Sequence, residues 1–536
     1  MKRTGAEALI TTLEASGVKV VFGIPSIHNL PLYEVLRKRP SIRHILCRQE
    51  TMAAHMADGY ARAGDRLGVV ITSTGPGTGY VIPAVQEAWG SNSPLLVITT
   101  NIPSNKIRKG TGALHELDHQ DRLFDNMSKE RVVVTSPDEL AASVHKAICA
   151  VFAGRPGPVY LEIPTDLLRK PVPDRLEDVT PQTERMSGDM EKAVAFLETA
   201  RQPLIIAGTD AVRARLSDDI TALAETLGAP VITSVGGKGV VPEDHPFSFG
   251  NGARQGMVRE MVGACDVALA VGTRLRDVDL KRRGLTLPRL IHMDWDDEWV
   301  QRNFPAEVVL TGDIASHLKA LLARLTPAPA LTTRQDWLRG RKAAYEAERQ
   351  SIMGTQKELH YLDGIRRNLP QDGILVVDNT ILGYWAEYFY PCHRPGTFIG
   401  AKGSSIIGFS LAGAMGAKLA CPEKPVVALI GDGGFLYGSQ ELATCVRHGI
   451  AVTIIVVNDH RFGVIRHLQK TYYGEPHECD LLNPDFLGLA RSFGLEGTRV
   501  TSPRTLMDAL EETVGTEETR LIELRDTFPE PPFSRY

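Results

Sequence analysis

Long apolar runs are missing from this chain of 536 residues, and none approaches the ~18 residues that a membrane-spanning helix needs. An excess of one charge is missing as well. Lys and Arg number 60 against 64 Asp and Glu, the net charge is −4, and the pI is near 6.4, so the chain offers no basic face for nucleic acid. Paired cysteines are absent too. The seven cysteines (Cys47, Cys149, Cys265, Cys392, Cys421, Cys445, Cys479) are scattered, odd in number and form no CxxC pair. That excludes a zinc ribbon and a disulfide framework, and it fits reduced thiols in the cytoplasm. The opening Met1–Ile10 carries basic residues, but Glu7 and Glu14 interrupt any signal-peptide core. It reads as a first amphipathic helix.

What is present is ordinary soluble composition, 43% apolar and 23% charged, in a chain too long for one core. Short β-branched runs alternate with helical patterns along its whole length. Val18–Phe22, Gly68–Thr72 and Pro94–Thr99 read as buried parallel strands, with Gly157–Ile163 as the last strand of a first block. A second block starts at about Arg201–Gly208 and runs through Ala229–Thr233, Val267–Gly272 and Leu290–Asp294. The acidic, Pro-containing stretch Pro171–Glu184 and the Pro/Ala/Thr-rich stretch Leu325–Thr333 read as linkers. The expectation is an α/β chain of three consecutive doubly wound parallel-sheet domains, at residues 1–172, 185–325 and 345–536.

The most informative segment lies in the third block. Pro425–Phe435 reads as a strand entering a glycine turn, Ser439–Gly449 as a helix, and Ala451–Asp459 as the next strand. Parallel strands joined through a helix open on the same edge of their sheet. Asp432 and the Asn458-Asp459 pair therefore meet there, within reach of one hard cation. Gly431, Gly433 and Gly434 leave backbone N–H groups free for a phosphate. Carboxylates plus substrate phosphates are the usual way of holding Mg²⁺. A GDG turn alone is common; intact strands on both sides and the spaced Asn-Asp pair make this one specific.

This segment resembles the cofactor signature of thiamine diphosphate enzymes, a GDG that opens a run of about thirty residues closing on NN or ND. The resemblance implies side-chain metal ligation by Asp432 and Asp459, with Arg461 contributing its backbone carbonyl. It extends over essentially the whole chain and implies a pyrimidine-binding first domain, a central domain and a diphosphate-binding third domain. Ile45–Arg62 resembles the family segment in which a glutamate precedes an alanine-rich helix ending in DGYAR, and its glutamate is Glu50. By that likeness Glu50 hydrogen-bonds the cofactor's aminopyrimidine, and burial at a strand end would raise its pKa. Thr74-Gly-Pro-Gly77 matches a GPG turn near the pyrimidine, which places Pro76 at the cofactor. In Gly400–Phe409, Ile407 takes the place of the bulky residue that bends the cofactor, and the Ser405 carbonyl that of the acceptor for its amino group. Asn379, after the strand Ile374–Val377, falls where the family contacts the diphosphate. Across the family the glutamate and the metal site meet between subunits, which implies a homodimer or homotetramer.

Within the family the likeness is greatest to acetolactate-synthase-like enzymes and 2-oxo acid decarboxylases. Their shared chemistry is loss of CO₂ from a 2-oxo acid, with the cofactor taking up the electrons, then protonation to an aldehyde or coupling to a second carbonyl. The synthases bind FAD in the central domain, and Gly208, Arg274 and Asp294 lie where such contacts fall. Gly250–Gly256, however, departs from their MHG-type pattern, so FAD stays open. At the substrate end, Gly110–Glu116 carries His115 and Leu114 where the synthases have glutamine and phenylalanine. Gly23–Asn29 places His28 where related decarboxylases and aldehyde lyases handle protons. Imidazoles on two substrate-facing loops suit proton transfer. The expected activity is decarboxylation of a 2-oxo acid, with an aldehyde lyase or carboligase acting on 2-hydroxy ketones, or a non-enzymatic cofactor-binding protein, as alternatives.

Overall fold

A computed structural model describes residues 3–173, 186–251, 256–280, 285–326 and 331–528. The chain forms three six-stranded sheets with helices between the strands, each a doubly wound α/β unit. The first unit contains β1 (Val20–Gly23), β2 (Arg43–Leu46), β3 (Gly68–Thr72), β4 (Leu95–Asn101), β5 (Arg131–Val133) and β6 (Val159–Pro164), ordered 2-1-3-4-6-5 and parallel throughout. The middle unit contains β7 (Ser187–Gly188), β8 (Pro203–Ala207), β9 (Val231–Thr233), β10 (Val267–Val271), β11 (Arg289–Asp294) and β12 (Val308–Thr311), in the order 7-12-11-10-8-9. Only its short edge strand β7 is antiparallel. The third unit contains β13 (Ile374–Val377), β14 (Phe398–Gly400), β15 (Val426–Gly431), β16 (Thr453–Val457), β17 (Glu496–Val500) and β18 (Arg520–Leu524). Its order, 14-13-15-16-18-17, repeats that of the first unit strand for strand.

The central strands read as continuous β-branched runs because helices cover both sheet faces. β3, β4, β10 and β16 are buried at every position. The shorter strands show weaker patterns. β2 buries one residue of four and β17 one of five.

The first and third units share one apolar core. Helix α1 (Glu50–Gly64), which follows β2, lies against helix α2 (Phe409–Ala420), which follows β14. A Cβ at Gly416 would overlap the Met56 carbonyl oxygen, and one at Gly59 the Gly413 carbonyl oxygen. Glycine at these points lets two backbones touch. Ala53, Ala54, Ala57, Ala412 and Ala417 continue the contact in a cluster that reaches into both sheets. The middle unit has cores of its own.

One long element crosses the expected boundaries. Leu331–Met353 forms a 23-residue helix, beginning inside the second expected linker and running past residue 345. Leu338 and Tyr345 anchor it to the middle unit, and Arg349 donates to the Tyr388 and Phe389 carbonyls of the third. Its surface is mostly polar, so periodicity alone signals it weakly. Most of the first expected linker, residues 174–184, lies outside the described residues. All seven cysteines are free. Among the described residues, no helix is long and apolar enough to cross a membrane.

Candidate active site

The carboxyl ends of β13, β14, β15 and β16 open into a cavity of about 380 Å³. Its lining includes Asn379, Ser405, Ile407, Gly431, Asp432, Gly433, Gly434, Asp459 and Arg461. Residues named from four separate stretches of sequence thus meet in one place. Position explains why: ligands in open α/β sheets bind beyond the strand ends where the strand order reverses.

The glycines are needed for closeness. A Cβ at Gly433 would lie 2.6 Å from the Phe462 ring, and one at Gly434 3.3 Å from the Gly408 nitrogen. Asp432 accepts from the Gly433 N–H at 2.8 Å and from the Asn483 side chain at 2.7 Å. Burial pushes the Asp432 carboxyl above the usual range. Asp459 is pushed up to about 7, by burial first and then by the neighbouring Asp432 charge. Two neighbouring acids, one buried and one half-buried, that oppose each other's ionisation form a cation-seeking pair. The Arg461 side chain folds back, its Nε donating to the Asp459 carbonyl at 2.9 Å. Asn379 faces the cavity with both amide atoms engaged, Nδ2 on the Ile406 carbonyl (2.8 Å) and Oδ1 on Lys402 Nζ (2.7 Å).

Asn483 escaped sequence reasoning. It ties Asp432 to Asn458, donating to the Asn458 side-chain oxygen at 2.9 Å, and Asn458 in turn donates to Glu523 at 2.7 Å. The Oδ1 of Asn483 is buried with no hydrogen-bond partner. Asn483 thus orients the Asp432 carboxylate from behind and has an acceptor oxygen left over, although it does not itself line the cavity. No motif marks this asparagine, because its partners lie 25 and 51 positions away.

A second cluster sits on the first unit, and none of its members lines that cavity. Glu50 begins helix α1, where Gln49 caps the Met52 N–H. Burial raises its pKa. A Cβ at Gly77 would stand 3.6 Å from Glu50 Oε1, so the turn through Pro76 passes directly over the carboxyl. Gly75, at φ +57°, brings the same turn against the His115 carbonyl. The His28 and His115 rings lie 5.2 Å apart between centroids, and Nδ1 of each is buried without a partner. Burial and the neighbouring His115 lower the His28 pKa, which keeps that imidazole neutral near pH 7. Glu441 was not anticipated either. From the third unit, its carboxylate accepts the N–H groups of Arg48 (2.9 Å) and Gln49 (3.1 Å) and so fixes the turn into Glu50.

Where all three units meet, a cavity of about 240 Å³ is lined by Arg62, Arg213, Arg274, Arg276 and Lys402, with Asp65 and Asp279. Burial and the adjacent Arg276 bring the Arg274 guanidinium down to about 10. Gly208 and Asp294 are absent from the lining; Asp294 is buried and bound by Arg155 at 2.8 Å. The departing segment Gly250–Gly256 has residues 252–255 outside the described residues.

Comparison with known proteins agrees along the whole chain. Residues 3–123 match the N-terminal TPP binding domain of thiamine pyrophosphate enzymes, residues 190–321 their central domain, and residues 378–524 their C-terminal TPP binding domain. A protein of Pseudomonas aeruginosa named "Probable 2-ketoarginine decarboxylase AruI" is 35% identical, over 97% of this chain and 94% of its own length. A "Probable acetolactate synthase large subunit" of Methanocaldococcus jannaschii is 31% identical, over 97% and 91%. An "Acetolactate synthase" of Mycobacterium bovis is 30% identical, over 95% and 85%. With three family domains in register along the chain, the protein belongs to the thiamine diphosphate enzymes, in the group that holds acetolactate synthases and 2-oxo acid decarboxylases.

Proposed function

We propose that the protein decarboxylates a 2-oxo acid with thiamine diphosphate and Mg²⁺ and releases an aldehyde. Bound thiamine diphosphate supplies a carbon nucleophile and a sink for the electrons of the departing CO₂. The chain's own residues do the rest. Asp432 and Asp459, with the Arg461 carbonyl, would hold the metal, and the N–H groups of Gly433 and Gly434 would receive phosphate oxygens. Ser405 and Ile407 would seat the cofactor, with Asn379 and Pro76 beside it. Glu50, its carboxyl partly withdrawn from water, holds or releases a proton at the cofactor's pyrimidine end. His28 and His115 move the proton that completes the aldehyde.

One observation carries the choice of outcome: two buried, unpartnered imidazole nitrogens stand on facing loops, and the His115 loop packs on the Gly75–Gly77 turn that passes Glu50. That is equipment for protonation rather than for admitting a second carbonyl. The Pseudomonas relative named for 2-ketoarginine supports a decarboxylase and puts 5-guanidino-2-oxopentanoate on the substrate panel.

A second copy of the chain would complete the site. Glu50 and the histidines are absent from the diphosphate cavity of their own chain, and large apolar side chains are exposed near each half. Ile27 (61%), Tyr80 (56%) and Leu114 (60%) flank the first; Tyr437 (57%) and Ile465 (51%) flank the second. Apolar area of this kind favours burial in a dimer or tetramer. FAD, the remaining cofactor candidate, finds support in Arg274 and its neighbouring cations. A purified protein without flavin absorbance removes it.

The experiment is a panel of 2-oxo acids with added thiamine diphosphate and Mg²⁺, read by CO₂ release and by mass spectrometry of the products. The expected result is CO₂ with the matching aldehyde. Coupling of aldehydes without CO₂ would make the protein a carboligase or lyase, and cofactor binding with neither product would leave a binding protein.

A further inference from the structure

Ser405 and Ile407 belong to the loop between β14 and helix α2, and this loop is held in an unusual way. Ser405 has φ +59° and Gly408 φ +85°. A serine in the left-handed region persists only where its surroundings over-determine it. Those surroundings come from all three units.

From the first unit, the buried Glu87 carboxylate accepts the N–H groups of Gly403 (2.8 Å) and Ser404 (2.7 Å) and the Ser404 hydroxyl (3.1 Å). Arg62 pairs with Glu87 at 3.0 Å and donates to the Gly400 carbonyl at 2.8 Å. Burial works against the Glu87 charge, but Arg62 and the two loop amides outweigh it and hold the carboxyl below its ordinary range. The loop backbone lies so close that a Cβ at Gly403 would overlap the Glu87 carbonyl oxygen. From the middle unit, Arg276 donates to the Lys402 carbonyl. Within the third unit, Lys402 Nζ donates to Asn379 Oδ1 (2.7 Å) and pairs with Glu387. With its oxygen taken, Asn379 presents Nδ2 to the Ile406 carbonyl, which lies between Ser405 and Ile407 in the chain.

Glu87 and Lys402 do not line the diphosphate cavity. We propose that they are positioning residues for thiamine diphosphate: Glu87 fixes the start of the loop and Lys402 locks Asn379, so that together they set Ser405 and Ile407 in the cavity. The proposal rests on the diphosphate reading of that cavity. It gives the first unit a task inside its own chain that is separate from Glu50.

The test uses the full-length protein with thiamine diphosphate and Mg²⁺, comparing Lys402→Met, Glu87→Gln and Asp432→Asn. Cofactor affinity is read by calorimetry, the bound cofactor by its near-ultraviolet circular dichroism, and turnover with a 2-oxo acid from the panel. For Lys402→Met and Glu87→Gln we expect an altered dichroism band and a kcat lower by about 10–100-fold, because a small misplacement of reacting groups is costly. KM for the 2-oxo acid should stay within about twofold, because the loop faces the cofactor rather than the substrate. Asp432→Asn should lose cofactor binding itself. If both variants melt earlier but keep the wild-type dichroism and kcat, the role is structural and the proposal falls. If Glu87→Gln does not fold, the Lys402 variants decide. Lys402→Met removes the cation that pairs with the buried Glu387, so Lys402→Arg, which keeps the charge but moves the donor off Asn379, is read beside it and should also alter the dichroism band and kcat. Absence of cofactor binding by the wild-type protein would instead overturn the diphosphate reading, and the proposal with it.

Discussion

The first and third sheets have the same strand order, yet the loops at matching strand ends carry unlike chemistry. After β1 comes the His28 loop; after its counterpart β13 come Asp378 and Asn379. After β2 comes Glu50, and after β14 come Ser405 and Ile407. After β3 the chain turns through Gly75–Gly77, and after β15 through Gly431–Gly434. After β4 a long loop brings His115, whereas β16 delivers Asp459 at once. The third unit offers carboxylates and close backbone, suited to a metal and a diphosphate. The first offers a glutamate and two imidazoles, suited to moving protons. On the proposed function, one scaffold used twice separates holding the cofactor from acting on it.

Substitutions can break this division, and the largest effect should come at its centre. Glu50→Gln is expected to lower turnover by about 10²–10⁴-fold while cofactor affinity stays near that of the wild type. Asp432→Asn or Asp459→Asn should abolish Mg²⁺-dependent cofactor binding instead. Mixing Glu50→Gln with Asp432→Asn chains, under conditions where subunits exchange, sharpens the comparison. If each site takes one half from each subunit, random reassortment restores one working site in the mixed dimer, about a quarter of wild-type activity. No recovery would place the whole centre within one chain.

The contact that joins the two units is the next target. Gly416→Val puts a branched side chain where even a Cβ would overlap the Met56 carbonyl. It should destabilise the protein by about 1–3 kcal/mol or more, measured as a lower denaturant midpoint. A substitution tolerated at no cost would mean that the two helices are not tightly joined.

The smallest effect is expected with pH. Asp459, held up to about 7, keeps its proton in the folded, metal-free state longer than in the unfolded chain. Folded protein then binds more protons than unfolded, so metal-free stability should fall as pH rises from about 4 to about 7. Mg²⁺ should reverse the trend, because it replaces the proton and binds more tightly at higher pH. Asp459→Asn should remove both dependences. Melting curves with chelator and with Mg²⁺ would check this, and curves that superimpose would show that the acid pair does not hold the metal.

What could be read from the sequence was local. The GDG turn and the Asn-Asp pair each lie within a few residues, with strand and helix periodicity on both sides, so spacing placed Asp432 and Asp459 at one sheet edge, while Glu50 came from the likeness of the DGYAR segment to the family. Glu87, Glu441 and Asn483 were invisible. Each acts through backbone or amide atoms tens to hundreds of positions away, and no periodicity encodes such a meeting. β17 carries no strand signal because it buries one residue of five, too few to alternate. The Leu331–Met353 helix reads in part as a linker because only Arg334, Leu338 and Tyr345 are buried along its 23 residues.

The backbone contact between helices α1 and α2 also bears on how the chain is made. Ribosomal synthesis adds residues at about 5–20 per second, so α1 leaves the tunnel on the order of tens of seconds before α2 exists. Throughout that interval the face of α1 that meets α2 has no partner, although the opposite side of the first sheet, with a core drawn from residues 6–172 alone, and the middle unit can both close. The nascent first unit is thus the stage most exposed to aggregation, and chaperone capture would be expected there, released once the last third of the chain emerges.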